Sequence, residues 1–160
     1  IGGGGVIQQL PCSRCCYVCG RENPVSLRMT FFLEDSGEVT SEIVVSEDYA
    51  GYPGIVHGGN VAAMLGEAAG RAATADNPNR FAVTSRLAVR YRQPVPTNQL
   101  LKVTGRFIKK RGKVSQVYSE IRNEAGELLA EADGVFVDIA EDFTQGENPE
   151  RLGWKVYQNE

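Results

Sequence analysis

The sequence predicts an α+β fold in which one long antiparallel sheet wraps around a single central helix. Two observations support this prediction. Only one long stretch has helical periodicity, whereas six stretches are rich in β-branched and aromatic residues or alternate between apolar and polar residues. The helical stretch is apolar on nearly every side, and a helix of this kind is usually buried.

Two strands are predicted before the helix. Ser26–Glu34 follows an Asn-Pro break and ends at the turn Asp-Ser-Gly-Glu, and Val39–Glu47 is its partner. Residues 48–54 are rich in glycine and proline, so they are predicted to form a loop. The glycine-rich start of the chain is predicted to be a flexible end outside the fold.

The helix is predicted to run from His57 to about Ala75, where Asp-Asn-Pro-Asn ends it. Its apolar residues are Val61, Ala62, Ala63, Met64, Leu65, Ala68, Ala69, Ala72 and Ala73. Because most of these side chains are small, a sheet can come close to the helix backbone.

Four strands are predicted after the helix, at Phe81–Pro94, Leu100–Lys110, Gly112–Asn123 and Gly126–Ile139. The turns Lys-Arg-Gly-Lys and Asn-Glu-Ala-Gly-Glu between the last three are short. Short turns join antiparallel neighbours, so these strands are expected to form hairpins.

Length and charge exclude several classes of protein. A chain of 160 residues fits one domain, and a net charge of −3 gives no reason to expect nucleic acid as a partner. No apolar run approaches the ~20 residues that span a bilayer, and no signal peptide is recognised. We therefore expect a cytoplasmic protein with a cysteine-rich segment (1–25), a sheet-and-helix domain (26–140) and a tail (141–160) that is either a docking segment or a loose end.

All four cysteines, Cys12, Cys15, Cys16 and Cys19, lie within eight residues. A disulfide scaffold would spread its cysteines along the chain, so a reducing compartment is expected. Two Cys-x2-Cys pairs can form a zinc site, but the adjacent Cys15 and Cys16 would strain one tetrahedron built from all four. The sequence favours reduced, partly buried thiols with no metal or cofactor, and a zinc-stabilised interaction module is the alternative.

Four segments resemble one family. They are GIVHGGNVAAMLGEA at the helix start, CYVCGRENPVSLRMTFF before it, and VTSRLAVRYRQPVP and EIRNEAGELLAEADGVFV after it. In this order they resemble the hotdog-fold thioesterases, specifically the PaaI-like acyl-CoA thioesterase group, over about Cys16–Val137. The resemblance implies the hotdog fold, an acyl-CoA substrate, and a homodimer or dimer of dimers with active sites at the interface.

The resemblance also assigns a role to the helix start. Helix N-termini carry unpaired N–H groups and a positive dipole end, which can stabilise an oxyanion. In the family, the N–H of the glycine matching Gly58 does this, and Gly58 and Gly59 allow a substrate to approach the backbone. His57 is expected to orient the site, and Asn60 either contacts substrate or caps the helix.

The catalytic carboxylate departs from the family pattern. The family commonly has it nine residues after the histidine, where this chain has Gly66, and Glu67 follows about 100° further round the helix. In an apolar pocket, Glu67 can act as a general base. Alternatively, it pairs with Arg71 or belongs to a polar stripe with Asn60 and Thr74. If it is not catalytic, the chain is an acyl-CoA or small-ligand binding protein without hydrolytic activity.

Other candidate residues are less specific. Thr84 matches a position where some members place a hydroxyl that holds water, and Ser85 is next to it. A basic cluster suits the phosphates of CoA, although exposed basic residues are also common on a solvated surface. The candidates for phosphate binding are Arg90, Arg92, Lys110 and Arg111.

Overall fold

One seven-stranded antiparallel sheet wraps around a single α-helix in a computed structural model that describes residues 5–139 and 153–158. The helix is α1 (Gly58–Ala73), and the sheet order is β1-β2-β3-β5-β6-β7-β4. The α+β prediction is confirmed. The strands are β1 (Val6–Gln9), β2 (Phe32–Glu34), β3 (Val39–Val44), β4 (Ala82–Tyr91), β5 (Leu100–Arg111), β6 (Val114–Asn123) and β7 (Leu128–Asp138).

The predicted first strand is wrong over most of its length. Only Phe32–Glu34 of the predicted Ser26–Glu34 is a strand. Upstream, the Leu27 and Met29 amides bond to carbonyls of the cysteine segment, at Tyr17 and Val18, and not to the sheet. The chain turns between them at Arg28, which has a left-handed backbone with φ 56°.

The chain start, which the sequence analysis excluded from the fold, supplies strand β1. Val6–Gln9 pairs with β2 and extends the sheet at that edge. The predicted tail lies mostly outside the described residues. Within it, Trp154 donates a hydrogen bond to the Pro78 carbonyl, and Lys155 forms an isolated β-bridge with Cys12.

The sheet lies directly against the helix backbone at its centre. A Cβ on Gly105, in β5, would lie 2.1 Å from the carbonyl oxygen of Ala68. Nearby, the buried Ser119 hydroxyl of β6 donates a hydrogen bond of 2.8 Å to the Leu65 carbonyl. Small residues on both elements therefore make it possible for the sheet to close around α1. No helix in the described ranges is long and apolar enough to cross a membrane.

The contact at Gly105 predicts a large effect of one methyl group. Gly105→Ala should lower the free energy of unfolding by about 3 kcal/mol, near the top of the range for overpacked cores, because the atom it meets is backbone. Urea denaturation measures this. Lys102→Ala, at an exposed position of the same strand, is the control and should change it by less than about 0.5 kcal/mol. Equal effects of the two substitutions would show that the sheet does not approach the helix this closely.

Candidate active site

The start of α1 leaves one backbone donor available. His57 is the N-cap, and its Nδ1 accepts the N–H of Gly59 at 2.9 Å, while the Asn60 amide bonds to the His57 carbonyl. The N–H of Gly58 donates no hydrogen bond to any residue of 5–139 or 153–158. The imidazole therefore caps the helix, as a residue that orients the site would, and leaves the Gly58 N–H as an electropositive donor.

Tyr91, on β4, contacts the same glycine and was not among the site residues predicted from the sequence. Its hydroxyl donates a hydrogen bond of 2.7 Å to the Gly58 carbonyl, and its ring lies beside the glycine. A cavity of about 470 Å³ opens here, with His57, Gly58, Tyr91 and Arg92 in its lining. The Tyr-Arg-x-Pro ending of the strand was the available sequence signal.

Asn60, in the first turn of α1, is held by the loops around it. Its Nδ2 donates to the Tyr49 carbonyl at 3.2 Å, and its Oδ1 accepts a hydrogen bond from the Tyr17 hydroxyl. Both ends of this amide are therefore used within the chain, and the side chain fastens the helix start to the cysteine segment.

A larger cavity, of about 670 Å³, extends along α1 and is called the helix cavity below. It lies between α1 and β4, with Cys16, Cys19 and Trp154 on a further side. Its walls are mainly small or apolar, with Glu67, Thr84 and a few other polar groups among them. The helix residues that line it are Gly59, Ala62, Ala63, Gly66, Glu67, Gly70, Arg71 and Thr74.

Glu67 lines this cavity and is anchored through one of its two oxygens. Its side chain is 24% exposed, and Oε1 accepts hydrogen bonds from Arg71 Nε at 3.1 Å and from the Cys19 thiol at 3.6 Å. Its Oε2 has no hydrogen-bond partner among the described residues. The pairing with Arg71, which the sequence left open as an alternative, is therefore present, and it leaves one carboxylate oxygen available.

The structure places Arg71 in the interior, at 7% exposure, which the sequence did not indicate. Besides Glu67, its guanidinium donates to Cys19 Sγ at 3.1 Å and to the Pro11 carbonyl. It also stacks on Trp154, with 4.6 Å from Cζ to the ring centroid. Burial alone would lower the pKa of Arg71, but the charge of Glu67 and the neighbouring thiols raise it, so the residue remains a cation.

Thr84 and Ser85 have different positions on β4. A bulge interrupts the pairing of β4 with β7 between Thr84 and Arg86, so Ser85 is the additional residue. Both residues are exposed, but Thr84 lines the helix cavity, across from Glu67, whereas Ser85 is not part of its lining.

The predicted phosphate-binding residues lie apart from Glu67. Arg90 and Arg92 share Glu131 as a partner, at 3.6 and 2.8 Å. Lys110 pairs with Asp138 at 2.7 Å, and Arg111 is exposed at the end of β5. None of the four lines the helix cavity. Within one chain, the structure does not bring them together with the predicted base.

Comparison with known proteins identifies the family. The Thioesterase superfamily matches residues 53–130. The protein C26H8.11c of Schizosaccharomyces pombe, which is uncharacterized, is 30% identical over 125 residues, covering 74% of this chain and 70% of the yeast protein. The chain therefore belongs to the thioesterase superfamily.

Solved structures share the fold. The thioesterase superfamily protein RHA08564 is 29% identical with a TM-score of 0.72, over 78% of this chain and 63% of that protein, so this chain spans less than two thirds of its length. The E. coli PaaI protein from the phenylacetic acid degradation operon is 18% identical with a TM-score of 0.64, over 71% and 81% of the two chains. The protein smu.793 from Streptococcus mutans, bound to acetyl CoA, is 19% identical with a TM-score of 0.59, over 65% and 82%. At identities below 20%, the likeness concerns the fold alone. The predicted hotdog fold and the predicted membership of the hotdog-fold thioesterases are confirmed.

Removing the buried cation should destabilise the fold. In Arg71→Met, the half-buried Glu67 carboxylate and the Pro11 carbonyl lose their donor, so the free energy of unfolding should fall by about 3 kcal/mol. Urea denaturation at neutral pH measures it. Arg90→Met is the control, because Arg90 is exposed and its partner Glu131 keeps Arg92, so the expected loss is below about 0.5 kcal/mol. If the two variants were equally stable, the contacts of Arg71 with Glu67 and Pro11 would not contribute to the stability of the fold.

Proposed function

We propose that this chain is an acyl-CoA thioesterase that hydrolyses a thioester to a free acid and CoA. The observation that carries the proposal is the available N–H of Gly58 at the start of a helix whose carboxylate, Glu67, lines a largely apolar cavity. Membership of the thioesterase superfamily supports it, as does the shared fold of a Streptococcus protein bound to acetyl CoA.

In the proposed reaction, the thioester oxygen accepts a hydrogen bond from the Gly58 N–H. The Oε2 of Glu67 takes a proton from a water molecule, which attacks the carbonyl carbon, and the Thr84 hydroxyl holds that water. Negative charge develops on the oxygen of the tetrahedral intermediate, where the amide and the helix dipole stabilise it. The intermediate then breaks its C–S bond, the CoA thiolate leaves, and the proton passes from Glu67 to the products.

The spacing of the two groups favours a site shared between two copies of the chain. Gly58 and Glu67 are nine residues apart on one helix, which is about 13 Å along its axis. An attacking water and a thioester oxygen are only a few ångströms apart, so one thioester cannot use both groups of one chain. We propose a homodimer in which Gly58 of one copy faces Glu67 of the other, as the family resemblance implies. Dimers of dimers are compatible with this arrangement.

CoA is proposed to bind with its phosphates at the basic residues of the sheet. Arg111 is exposed, whereas Lys110, Arg90 and Arg92 already have carboxylate partners. A phosphate group can share an arginine with a carboxylate, because the guanidinium carries five N–H donors. Asn60 is less suited to contact substrate, since both ends of its amide are used within the chain.

One observation favours the alternative function. Gly66 stands where the family commonly has its carboxylate, and Glu67 is bound to Arg71 and Cys19. A chain with the same pocket but no effective base would bind acyl-CoA or another small ligand without hydrolysing it. Kinetic measurements distinguish the two functions.

Glu67→Gln should abolish most of the hydrolysis, because the amide cannot accept the proton of water. We expect release of free thiol from short, medium, long-chain and aromatic acyl-CoAs to fall by about 10²- to 10⁴-fold, with binding of CoA esters retained. Glu42→Gln, at an exposed position of β3, is the control and should keep wild-type turnover. Because Gln also removes the charge next to Arg71, the free energy of unfolding is measured alongside.

Two outcomes would contradict this assignment. Turnover retained in folded Glu67→Gln would remove Glu67 as the base. A wild-type protein that binds CoA esters but hydrolyses none of the panel would establish the binding function instead.

The shared site predicts complementation between two inactive variants. Gly58→Pro removes the N–H at the first helical position, where proline is tolerated, and His57 before it already has an extended backbone with ψ 135°. Alone, it should lose about 10²-fold or more in turnover. It is then unfolded and refolded together with Glu67→Gln, so that half of the dimers contain one copy of each variant. Each mixed dimer has one complete site out of two, so the mixture should have about a quarter of the wild-type turnover.

Gly58→Ala is the matched control, because it adds a side chain but keeps the N–H. A Cβ at this position meets only Tyr91, at 3.6 Å, which is ordinary contact. It should lose less activity than Gly58→Pro, because it keeps the N–H and hinders only the close approach of the substrate. If the mixture has no more activity than the separate variants, the two groups do not belong to one site shared between copies.

A further inference from the structure

Two thiols and one carboxylate come together where the cysteine segment meets α1. The Sγ atoms of Cys16 and Cys19 and a carboxylate oxygen of Glu67 all lie within 4.8 Å of one another. Cys12 and Cys15 are not part of this cluster, and Cys15 is exposed. We propose that Cys16, Cys19 and Glu67 bind a zinc ion, a role that goes beyond the proposed hydrolysis.

Residues 16–20 form a tight backbone turn that brings two possible metal ligands, Cys16 and Cys19, close together. The Val18 N–H donates to Cys16 Sγ at 3.3 Å, and the Gly20 N–H donates to the Cys16 carbonyl at 2.8 Å. A Cβ on Gly20 would lie 2.4 Å from that carbonyl oxygen, so only glycine fits. This tight turn brings both thiols of the Cys-x2-Cys pair to one place, and an N–H···S bond stabilises a ligating thiolate.

Two cations lie beside the cluster. Arg71 Nη2 donates to Cys19 Sγ at 3.1 Å, and Arg21 Nη1 donates to the Cys19 carbonyl at 3.0 Å. Two thiolates, one carboxylate and Zn²⁺ have a net charge of −1, which these cations offset.

The donor set points to zinc and not to a harder cation. Thiolate sulfur with one carboxylate oxygen suits a four-coordinate Zn²⁺, whereas Mg²⁺ and Ca²⁺ prefer oxygen ligands. Ligand atoms of a tetrahedral zinc site lie about 3.3 to 3.8 Å apart, so closing the cluster needs movements of about 1 Å. Cys19 is buried and Cys16 and Glu67 are half-buried, so the site would be partly shielded from water.

This arrangement answers a difficulty that the sequence raised. Four cysteine ligands would include the adjacent Cys15 and Cys16, which strains one tetrahedron. Here the third ligand comes from the helix, through Glu67, and Cys15 is not needed. The proposal reverses the sequence-based preference for metal-free thiols.

Metal content tests the proposal without any substrate. The full chain is reduced, loaded with zinc, desalted and analysed by plasma mass spectrometry, and X-ray absorption determines the ligands. We expect about one zinc per chain, with two sulfur ligands near 2.3 Å and one carboxylate oxygen near 2.0–2.2 Å from the protein. Cobalt in its place should give the intense absorption of tetrahedral thiolate coordination. Excess Mg²⁺ should not displace the zinc.

Cys16→Ser and Cys15→Ser form the matched pair. Both positions lie on the same turn, but only Cys16 belongs to the cluster, so Cys16→Ser should lose at least about tenfold in zinc affinity and Cys15→Ser should keep wild-type affinity. The wild-type spectra require no variant and remain informative if Cys16→Ser fails to fold.

Zinc absent from the reduced wild-type protein, equal losses in the two variants, or displacement by Mg²⁺ would each overturn the proposal. Because zinc is measured without acyl-CoA, a zinc-bound protein without hydrolase activity would overturn only the proposed function, and an active protein that binds no zinc would overturn only this inference.

Discussion

The Arg71 guanidinium is a buried cation, and the chain around it is arranged to satisfy its charge and its N–H groups. A charge taken out of water is costly unless it is paired and hydrogen-bonded. Arg71 meets this condition with Glu67 from its own helix, the Pro11 carbonyl and the Cys19 thiol from the cysteine segment, and Trp154 from near the end of the chain. Segments distant in sequence are thus held against the middle of α1, beside the helix cavity.

The same interaction shapes the chemistry of Glu67. Arg71 and Cys19 restrict its Oε1, so the carboxylate is held in one orientation while Oε2 has no partner in the described residues. A carboxylate that is oriented in this way needs little reorganisation to act as a base. The contact with Cys19 also brings Glu67 next to the thiols, so the proposed base and one proposed metal ligand are the same side chain.

Helix geometry imposes a second constraint. The residues proposed for hydrolysis, Gly58 and Glu67, are about 13 Å apart along the axis of one helix, and the sheet wraps around that helix. No rotamer change closes this distance. A second copy of the chain supplies the missing group if the helices face each other in opposite directions, and β4, an edge strand of the described sheet, lies beside the same cavity.

The sequence by itself determined the class of fold, the single helix, the strands after it and the motif at its start. These follow from local patterns, because hydrophobic periodicity, short turns and helix stop signals act between near neighbours. Only the tertiary structure decided that Ser26–Phe31 bonds to the cysteine segment, that Val6–Gln9 joins the sheet, and that Arg71 is buried. It also decided that Cys15 is outside the thiol cluster and that Glu67 is inside it. These outcomes depend on contacts between residues 10 to more than 80 positions apart, such as Leu27 with Tyr17, Cys19 with Glu67 and Trp154 with Arg71. A local pattern carries no information on such contacts.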